Sequence, residues 1–464
     1  MSSQSPHAAE LAEAVQASLP ASIADLSDLV RIPSVSWDGF DHDHVIASAE
    51  KVADLARGTG VFEEVEVVRL PIPVTGALGL PAVIATRAAR NGKPTVLLYA
   101  HHDVQPPGDD DHWDSKPYEP TLRGDRLYGR GAADDKAGVM AHIGAIRALL
   151  TVDPDPEVGI VLFAEGEEEF GSRSLPAILE RYHDKLAADA IVVADSGNWD
   201  LETPALTVGL RGAVAFNLRI STLDHASHSG QFGGVVPDAM LAAIRLCATF
   251  WNPDGSVAVA GLHSHQADTP EYDEAQLRQE TGLLEGVEPI GTGDLLSRTW
   301  YQPSITVTGI DAPSVKNASN TLVPSVRVRV SARVAPGQTW QDYFAALEAH
   351  IAEHIPHGAQ WQIEDLDSGQ PFLVDTSGWA AEDALDAMHE AFGTAPVLMG
   401  SGGSIPFIAD LVERYPAAQI LITGVEDPDA RAHSPNESLH LPTFQHAILA
   451  EALLRSRLNA RSGE

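Results

Sequence analysis

The chain has 464 residues, a length that suggests two or three domains with sizeable cores. Hydrophobic residues make up 44% of it and charged residues 20%, which indicates a globular chain and excludes extensive disorder. Asp and Glu outnumber Lys and Arg by 65 to 30, and the resulting net charge of −35 repels phosphate, which excludes nucleic acid and anionic membrane as partners.

The single cysteine, Cys247, excludes a disulfide framework and thiolate zinc clusters, and its apolar helical surroundings favour a core position. The first residues contain neither a basic segment nor the apolar core of a signal peptide. No apolar run is long enough to cross a bilayer. We therefore expect no membrane partner and a cytoplasmic location.

The outer parts of the chain predict helices that alternate with buried strands. Apolar spacing predicts a helix over 8–30, either kinked or divided at Pro20, and an amphipathic helix over 139–150. Short apolar runs predict strands at 61–70, 82–86, 95–100, 158–164, 190–194 and 419–423. This alternation predicts an α/β catalytic domain with a mainly parallel sheet flanked by helices.

Polar groups follow the strand at 95–100 where it should end. His101 suits a metal ligand, and Asp103 suits the partner that orients the other ring nitrogen. The alternative is a surface hydrogen-bond pair. In the glycine-rich stretch that follows, Asp134 or Asp135 is in place to cap the next helix, or Asp134 points at the same site as His101.

A run of glutamates, Glu165, Glu167, Glu168 and Glu169, follows the strand at 158–164. Held together, these carboxylates raise one another's pKa values unless cations neutralise them. The alternative is an exposed acidic turn. Asp195 and His433 follow two further strands, so several sets converge on the sheet edge where open α/β sheets bind ligands. Imidazole and carboxylate ligands without sulfur suit Zn, Mn or Co.

The long interval between Asp195 and His433 predicts a separately folded insertion. Its predicted elements are strands at 212–221, 304–310, 325–334 and 360–366 and helices at 237–250 and 339–355. Their order is βαββαβ, the ferredoxin-like α+β pattern, with a polar stretch at 262–298 that resembles a loop. The predicted domains are 1–206 and 372–464, which form the catalytic domain, and 207–371, an inserted lid or dimerisation domain.

Seven short motifs occur along the chain in one order. They are Tyr-Ala-His-His-Asp-Val-Gln-Pro (99–106), Gly-Arg-Gly-Ala-Ala-Asp-Asp-Lys (129–136), Glu-Gly-Glu-Glu-Glu-Phe-Gly-Ser (165–172), Val-Ala-Asp (193–195), His-Ser-Gly-Gln-Phe-Gly-Gly (228–234), Gly-Gly-Ser-Ile-Pro (402–406) and His-Ser-Pro-Asn-Glu (433–437). With these motifs the chain resembles the M20 family of di-metal peptidases, close to its cytosolic dipeptidase branch.

The resemblance implies two divalent ions, zinc in the first place and manganese or cobalt as alternatives. Asp134 would bridge them, His101 and Asp195 would complete one ion, and Glu169 and His433 the other.

It also implies roles around the metals. Glu168 would be the general base, Asp103 the partner of His101, and His228 a group that reaches the active site of the other subunit of a homodimer. The substrate's carboxylate end would be held by Thr321, Arg333, Gly403 and Ser404.

The implied reaction is hydrolysis of a peptide bond in dipeptides or small peptide-like substrates, with Glu168 taking the water's proton. One departure favours an alternative: Gly400 and Ser401 stand where dipeptidase relatives often carry Arg-Glu, whose glutamate helps hold the substrate's amino end. The alternative is an N-acyl-amino-acid amidohydrolase. Asp195 favours the dipeptidase branch, and the retained Glu168 argues against a non-catalytic binding protein.

Overall fold

The computed structural model describes residues 5–267, 269–402 and 406–461. In that part of the chain there are thirteen α-helices: α1 (Ala8–Val30), α2 (Asp43–Thr59), α3 (Lys136–Val152), α4 (Leu175–Arg181), α5 (His183–Leu186), α6 (Ser229–Phe232), α7 (Ala239–Cys247), α8 (Glu274–Thr281), α9 (Leu295–Trp300), α10 (Trp340–His354), α11 (Trp379–Phe392), α12 (Pro406–Arg414) and α13 (Leu441–Ala460).

The same residues contain eighteen strands: β1 (Glu64–Val68), β2 (Ala82–Arg87), β3 (Thr95–His101), β4 (Thr121–Arg123), β5 (Arg126–Tyr128), β6 (Gly159–Glu165), β7 (Ala190–Val193), β8 (Ala205–Leu210), β9 (Gly212–Ser221), β10 (Ser227–His228), β11 (Ser304–Asp311), β12 (Thr321–Leu322), β13 (Ser325–Val334), β14 (Gln360–Gly369), β15 (Phe372–Leu373), β16 (Val397–Ser401), β17 (Gln419–Ile422) and β18 (Ser438–His440).

The largest sheet has the strand order β1-β2-β6-β3-β7-β17-β8-β15, and β16 pairs with β8. Its four middle strands, β6, β3, β7 and β17, are parallel. Strands β3 and β6 are almost wholly buried, because apolar residues occupy both of their faces. The predicted mixed α/β fold with a mainly parallel central sheet is therefore confirmed.

Helices α1 and α13 pack against α3, which lies on β3. The sequence predicted a kink or a break in α1 at Pro20, and the structure has one continuous helix across it. Buried side chains on both sides of Pro20, among them Val15 and Leu26, hold the helix by packing and offset the hydrogen bond that proline cannot make. None of the described helices combines the length and the apolar character that a bilayer-spanning helix needs.

The chain divides into two compact units. The first comprises 1–208, 374–399 and 410–464 and contains the four parallel strands of the sheet above, and the second comprises 209–373 and 400–409. In the second unit an antiparallel sheet has the order β11-β13-β9-β14. Along the chain β9, α7, β11, β13, α10 and β14 follow each other, which is the predicted βαββαβ order.

The core of the second unit lies on one face of this sheet. Strands β9 and β13 alternate strictly between buried and half-buried residues, so Phe216 and Val330 point into a core that they share with α7 and α10. The stretch 262–298 differs from its predicted loop character because it contains α8 and the start of α9. Asp273 and Asp294 cap these helices through their side chains.

Candidate active site

The carboxyl ends of the parallel strands meet at one edge of the first unit's sheet. His101 ends β3 and lies in register with Glu165 at the end of β6. Asp195 follows β7 by two residues, and His433 lies in the loop after β17 with a left-handed backbone. Asp134 lies just before α3. The predicted strand ends therefore bring their polar side chains to a common place.

Asp134 lies between the two histidines of this cluster. Its Oδ1 is 3.1 Å from Nε2 of His101, and its Oδ2 is 2.9 Å from Nε2 of His433. The same nitrogen of His433 is 3.2 Å from Oε2 of Glu169, while Nε2 of His101 is 3.9 Å from Oδ1 of Asp195. The structure thus brings together all five predicted metal ligands, with the carboxylate of Asp134 between the two histidines.

Two groups of these side chains have the spacing of a cation site. They are His101, Asp135 and Asp195, and Asp134, Glu169 and His433; within each group the ligand atoms lie within 4.8 Å of one another. The pairing of Asp135 with His101 was not predicted, and its hydrogen bonds favour another role. Its Oδ2 accepts from the main-chain N–H of His101 at 3.0 Å, and its Oδ1 accepts from that of Gly138 at 3.1 Å.

Because both oxygens of Asp135 hold main chain, this residue caps α3 and ties the start of that helix to the end of β3. The oxygens of Asp134 face imidazole nitrogens instead. The sequence left open which of the two residues caps the helix and whether Asp134 points towards His101. In the structure Asp135 caps the helix, and Asp134 faces His101.

Asp103 contacts both the ring of His101 and the turn that carries Glu168 and Glu169. It is fully buried, its carbonyl oxygen lies 3.2 Å from Nδ1 of His101, and its Oδ1 lies 3.4 Å from the same nitrogen. Its carboxylate also accepts hydrogen bonds from the main-chain N–H groups of Glu168 and Glu169 at 3.3 and 3.1 Å. Asp103 therefore contacts the ring nitrogen of His101 that faces away from Asp134, and it also fixes the turn that carries both glutamates.

The four glutamates of the acidic run have different surroundings. Glu165 accepts a hydrogen bond from the hydroxyl of Tyr99 at 2.8 Å, and Glu167 accepts one from Arg173 at 3.0 Å. Both glutamates are buried, and burial raises the pKa of Glu165 to about 8. Within the described residues their carboxylates accept hydrogen bonds from Tyr99 and Arg173 and not from the cluster.

Glu169 and Glu168 face the cluster in different ways. Glu169 accepts hydrogen bonds from the main chain and the side chain of Gln105 at 3.0 and 2.6 Å. Within the described part of the chain no hydrogen bond reaches the carboxylate of Glu168, whose Oε2 is 4.0 Å from Nε2 of His101. The carboxylate of Glu169 is therefore held by hydrogen bonds, whereas that of Glu168 has none within the described residues.

The charge balance of the cluster favours bound cations. Burial opposes a charge on His101, yet hydrogen bonds with neighbouring carboxylates raise its pKa well above the usual value. Hydrogen bonds with Asp134 and Glu169 raise the pKa of His433 to about 11. Burial raises the pKa of Glu169 to about 7 and that of Asp195 to about 6. Negative groups are in excess here, and nitrogen and oxygen ligands at this spacing fit first-row divalent ions.

A buried glutamate holds the glycine-rich turn before α3. Glu437 accepts a hydrogen bond from Arg130 at 2.6 Å and others from the main-chain N–H groups of Gly131, Ala133 and Asp134 at 3.0, 2.9 and 3.1 Å. Four donors thus converge on one carboxylate. This network links two of the sequence motifs, 129–136 and 433–437. It ties the main chain at Asp134 to the loop that carries His433.

His228 and two of the predicted substrate residues, Thr321 and Arg333, lie in the second unit. His228 of β10 pairs with Thr321 of β12 in a two-stranded ribbon, and both residues are exposed. Nδ1 of His228 accepts a hydrogen bond from the main-chain N–H of Gly230 at 3.0 Å, which caps α6. Gly403 and Ser404 lie outside the described residues.

Arg333 of β13 is half-buried, and no described side chain forms an ion pair with it. Arg211, which sequence reasoning missed, is 9% exposed and lies near it. Burial lowers the pKa of Arg211 to about 10, with a contribution from the charge of Arg333. Arg211 donates to the main-chain carbonyls of Arg298 and Gln302 at 3.5 and 3.4 Å, and no described carboxylate pairs with either guanidinium group. The available sequence signal was an arginine between two apolar strands.

A comparison with known proteins gives one family. Residues 97–454 match the profile of peptidase family M20/M25/M40. The cysteinylglycine-S-conjugate dipeptidase of Corynebacterium striatum is 31% identical over 375 residues, covering 80% of this chain and 82% of that protein. The Cys-Gly metallodipeptidase dug1 of Schizosaccharomyces pombe is 27% identical over 453 residues, covering 92% and 93%. The solved structure of the dipeptidase Dug1p from Saccharomyces cerevisiae has the same fold, with a TM-score of 0.78, 23% identity and coverage of 98% and 99%.

Proposed function

The chain belongs to peptidase family M20/M25/M40, and from this membership we propose that it is a metal-dependent dipeptidase. The observation that carries the proposal is the carboxylate of Asp134 between the imidazoles of His101 and His433, with further carboxylates on both sides. The names of the relatives support dipeptides as the substrate class.

In the proposed site His101 and Asp195 would hold one divalent ion, Glu169 and His433 would hold the other, and Asp134 would be shared between them. Zinc is the first choice, with manganese and cobalt as alternatives. When bound, such a pair of ions makes a water molecule acidic enough to attack a carbonyl carbon near neutral pH.

Glu168 is the proposed general base. Its carboxylate is the one on the acidic run that no described hydrogen bond occupies, so it can accept the proton of the attacking water. It then passes that proton to the leaving amine, since the broken peptide bond needs a proton on nitrogen. The catalytic part of Asp103 is positioning: it fixes the ring of His101 and the turn that carries Glu168.

We extend the proposal to the second unit. The insertion over 207–371 would act as a lid and dimerisation domain, in which His228 serves the site of the neighbouring subunit. Phe232, Val235, Leu241 and Ile244 support an interface there, because these large apolar side chains are exposed on and around α6 and α7. Arg333, with Thr321, Gly403 and Ser404, would hold the substrate's carboxylate. A cytoplasmic location belongs to the same proposal.

The alternative activity, hydrolysis of N-acyl-amino acids, rests on Gly400 and Ser401 at the positions where relatives often carry Arg-Glu. It is not favoured, because the compared relatives are named as dipeptidases.

One substrate screen tests the function. Metal-free protein is loaded with Zn, Mn or Co, and each form is given a set of dipeptides and the matching N-acetyl amino acids. The proposal expects metal-dependent release of free amino acids from dipeptides. Faster hydrolysis of N-acetyl amino acids would make the protein a deacylase, and no metal-dependent hydrolysis of either set would make it a non-catalytic member of the family.

A further inference from the structure

Glu426 is a carboxylate beside the candidate active site that has no partner among the described residues. Its main chain is well fixed. The N–H group of Glu426 donates to the carbonyl of Ser196 at 3.4 Å, and its own carbonyl accepts from the main-chain N–H of Asn198 at 2.8 Å. Gly197 lies opposite Glu426 in an isolated parallel β-bridge. The loop after β17 is thereby tied to the residues that directly follow Asp195.

The charges of the cluster reach this side chain. Burial raises the pKa of Glu426 well above its ordinary value, and the negative charges of Asp134, Asp195 and Glu437 raise it further, whereas His433 lowers it. Glu426 is half-buried and lies on the same loop as His433, seven residues before it. The bridge between Glu426 and Gly197 also places it beside the residue two positions after Asp195.

Four other carboxylates of the site have described partners. Asp134 and Glu169 face His433, and both oxygens of Asp135 hold main-chain N–H groups. Glu437 holds the glycine-rich turn. Glu426 belongs to neither group of side chains with the spacing of a cation site. Divalent cations held by those groups would offset the negative charges that raise the pKa of Glu426, and would leave its carboxylate ionised but without a direct partner, which is costly in such surroundings.

We propose that Glu426 binds the ammonium group at the amino end of the substrate. The inference rests on the proposed function, since it concerns the same site. A free dipeptide carries a positive charge at the end opposite its carboxylate, and an ammonium group has three N–H donors for a partnerless carboxylate. In this chain Gly400 and Ser401 provide no charge at the positions where relatives often have a glutamate for this task. Glu426 supplies the missing negative charge from another loop.

The inference defines the substrate class more narrowly. The protein would require a free amino terminus and would discriminate against N-acylated peptides, in spite of Ser401. An acyl group removes the positive charge and would leave the carboxylate of Glu426 both desolvated and unpaired.

The test replaces Glu426 by Gln, which keeps the shape and removes the charge. Alanyl-glycine is compared with propionyl-glycine, which has the same skeleton without the amino group. For alanyl-glycine we expect kcat/KM to fall by about 10- to 100-fold, the effect of one charge-assisted hydrogen bond. For propionyl-glycine it should stay unchanged or rise. Asp429→Asn is the matched control, because it removes one charge from an exposed position of the same loop and should change neither substrate.

Two further readouts keep the outcomes separate. Calorimetric binding of both compounds to the metal-loaded Glu168→Gln protein, with and without Glu426→Gln, should show the same selective loss for alanyl-glycine. Equal losses for both compounds would overturn the inference, and so would the loss of a metal ion in Glu426→Gln by elemental analysis, which would make Glu426 a ligand. If the wild-type protein hydrolyses neither compound, the proposed function fails, and the binding comparison still decides the role of Glu426.

Discussion

Replacing Glu168 by Gln should leave the protein folded and metal-loaded but remove most of its turnover. No described hydrogen bond reaches the Glu168 carboxylate, so no neighbouring donor loses its acceptor when an amide replaces it. The free energy of unfolding should therefore change by about 0.5 kcal/mol or less. The amide cannot take a proton from water, and kcat should fall by about 10²- to 10⁴-fold.

Glu169→Gln is the matched control one residue along the chain. Its carboxylate accepts two hydrogen bonds from Gln105 and lies 3.2 Å from Nε2 of His433. An amide in this place points an N–H group at another donor, which should cost about 1–3 kcal/mol of stability. Since Glu169 is also a proposed ligand, this variant should lose one of the two ions.

The assay combines kcat for a dipeptide at saturation, elemental analysis of the loaded protein and urea unfolding. We expect two ions and near-normal stability for Glu168→Gln, and one ion and reduced stability for Glu169→Gln. A Glu168→Gln protein that lost an ion while Glu169→Gln kept both ions and its turnover would refute the assignment within the acidic run.

Three further predictions concern the substrate, the dimer and the metals. Arg333→Lys should lower kcat/KM about tenfold for dipeptides and spare their C-terminal amides, because an ammonium group cannot fork onto a carboxylate; equal losses on both would contradict the role. Co-expressed His228→Ala and Glu168→Ala chains, each nearly inactive alone, should regain about a quarter of wild-type activity, since about half of random dimers are mixed and each has one intact site; verified mixed dimers without activity would mean that His228 does not act across the interface. Chelation should destabilise the protein, and zinc at about 100 times its Kd should restore about 2.7 kcal/mol of unfolding free energy per site in thermal or urea unfolding. An unfolding free energy that does not change when zinc is added would argue against a zinc site.

The convergence of the site could be predicted because it follows a simple rule of parallel sheets. Apolar runs located β3, β6, β7 and β17, and the residues after such runs meet at one edge. His101, Asp195 and His433 follow this rule directly. In the second unit, β9 and β13 match their predicted bounds to the residue, because one face of each is buried and the other is not.

The remaining features depend on contacts that no local pattern encodes. Asp134 and Asp135 are adjacent residues of the same type, so the sequence cannot distinguish them. Only the direction of their oxygens shows that Asp134 faces the ring of His101 and that Asp135 caps α3. Gln105 reaches Glu169 because two turns lie side by side. Glu426 pairs with Gly197, which is far away along the chain, in a single β-bridge. Helix α8 escaped prediction because none of its residues is buried, so it has no apolar stripe to detect.

The position of β17 has a consequence for the newly made protein. This strand lies between β7 and β8, which are consecutive along the chain, and it arrives about two hundred residues after them in synthesis. Until then the parallel edge of β7 has no neighbour on that side, and the emerging polypeptide has His101, Asp134, Glu169 and Asp195 but lacks His433. Assembly of the predicted ligand set is therefore among the last events of biosynthesis, and the whole of the second unit is synthesised before it.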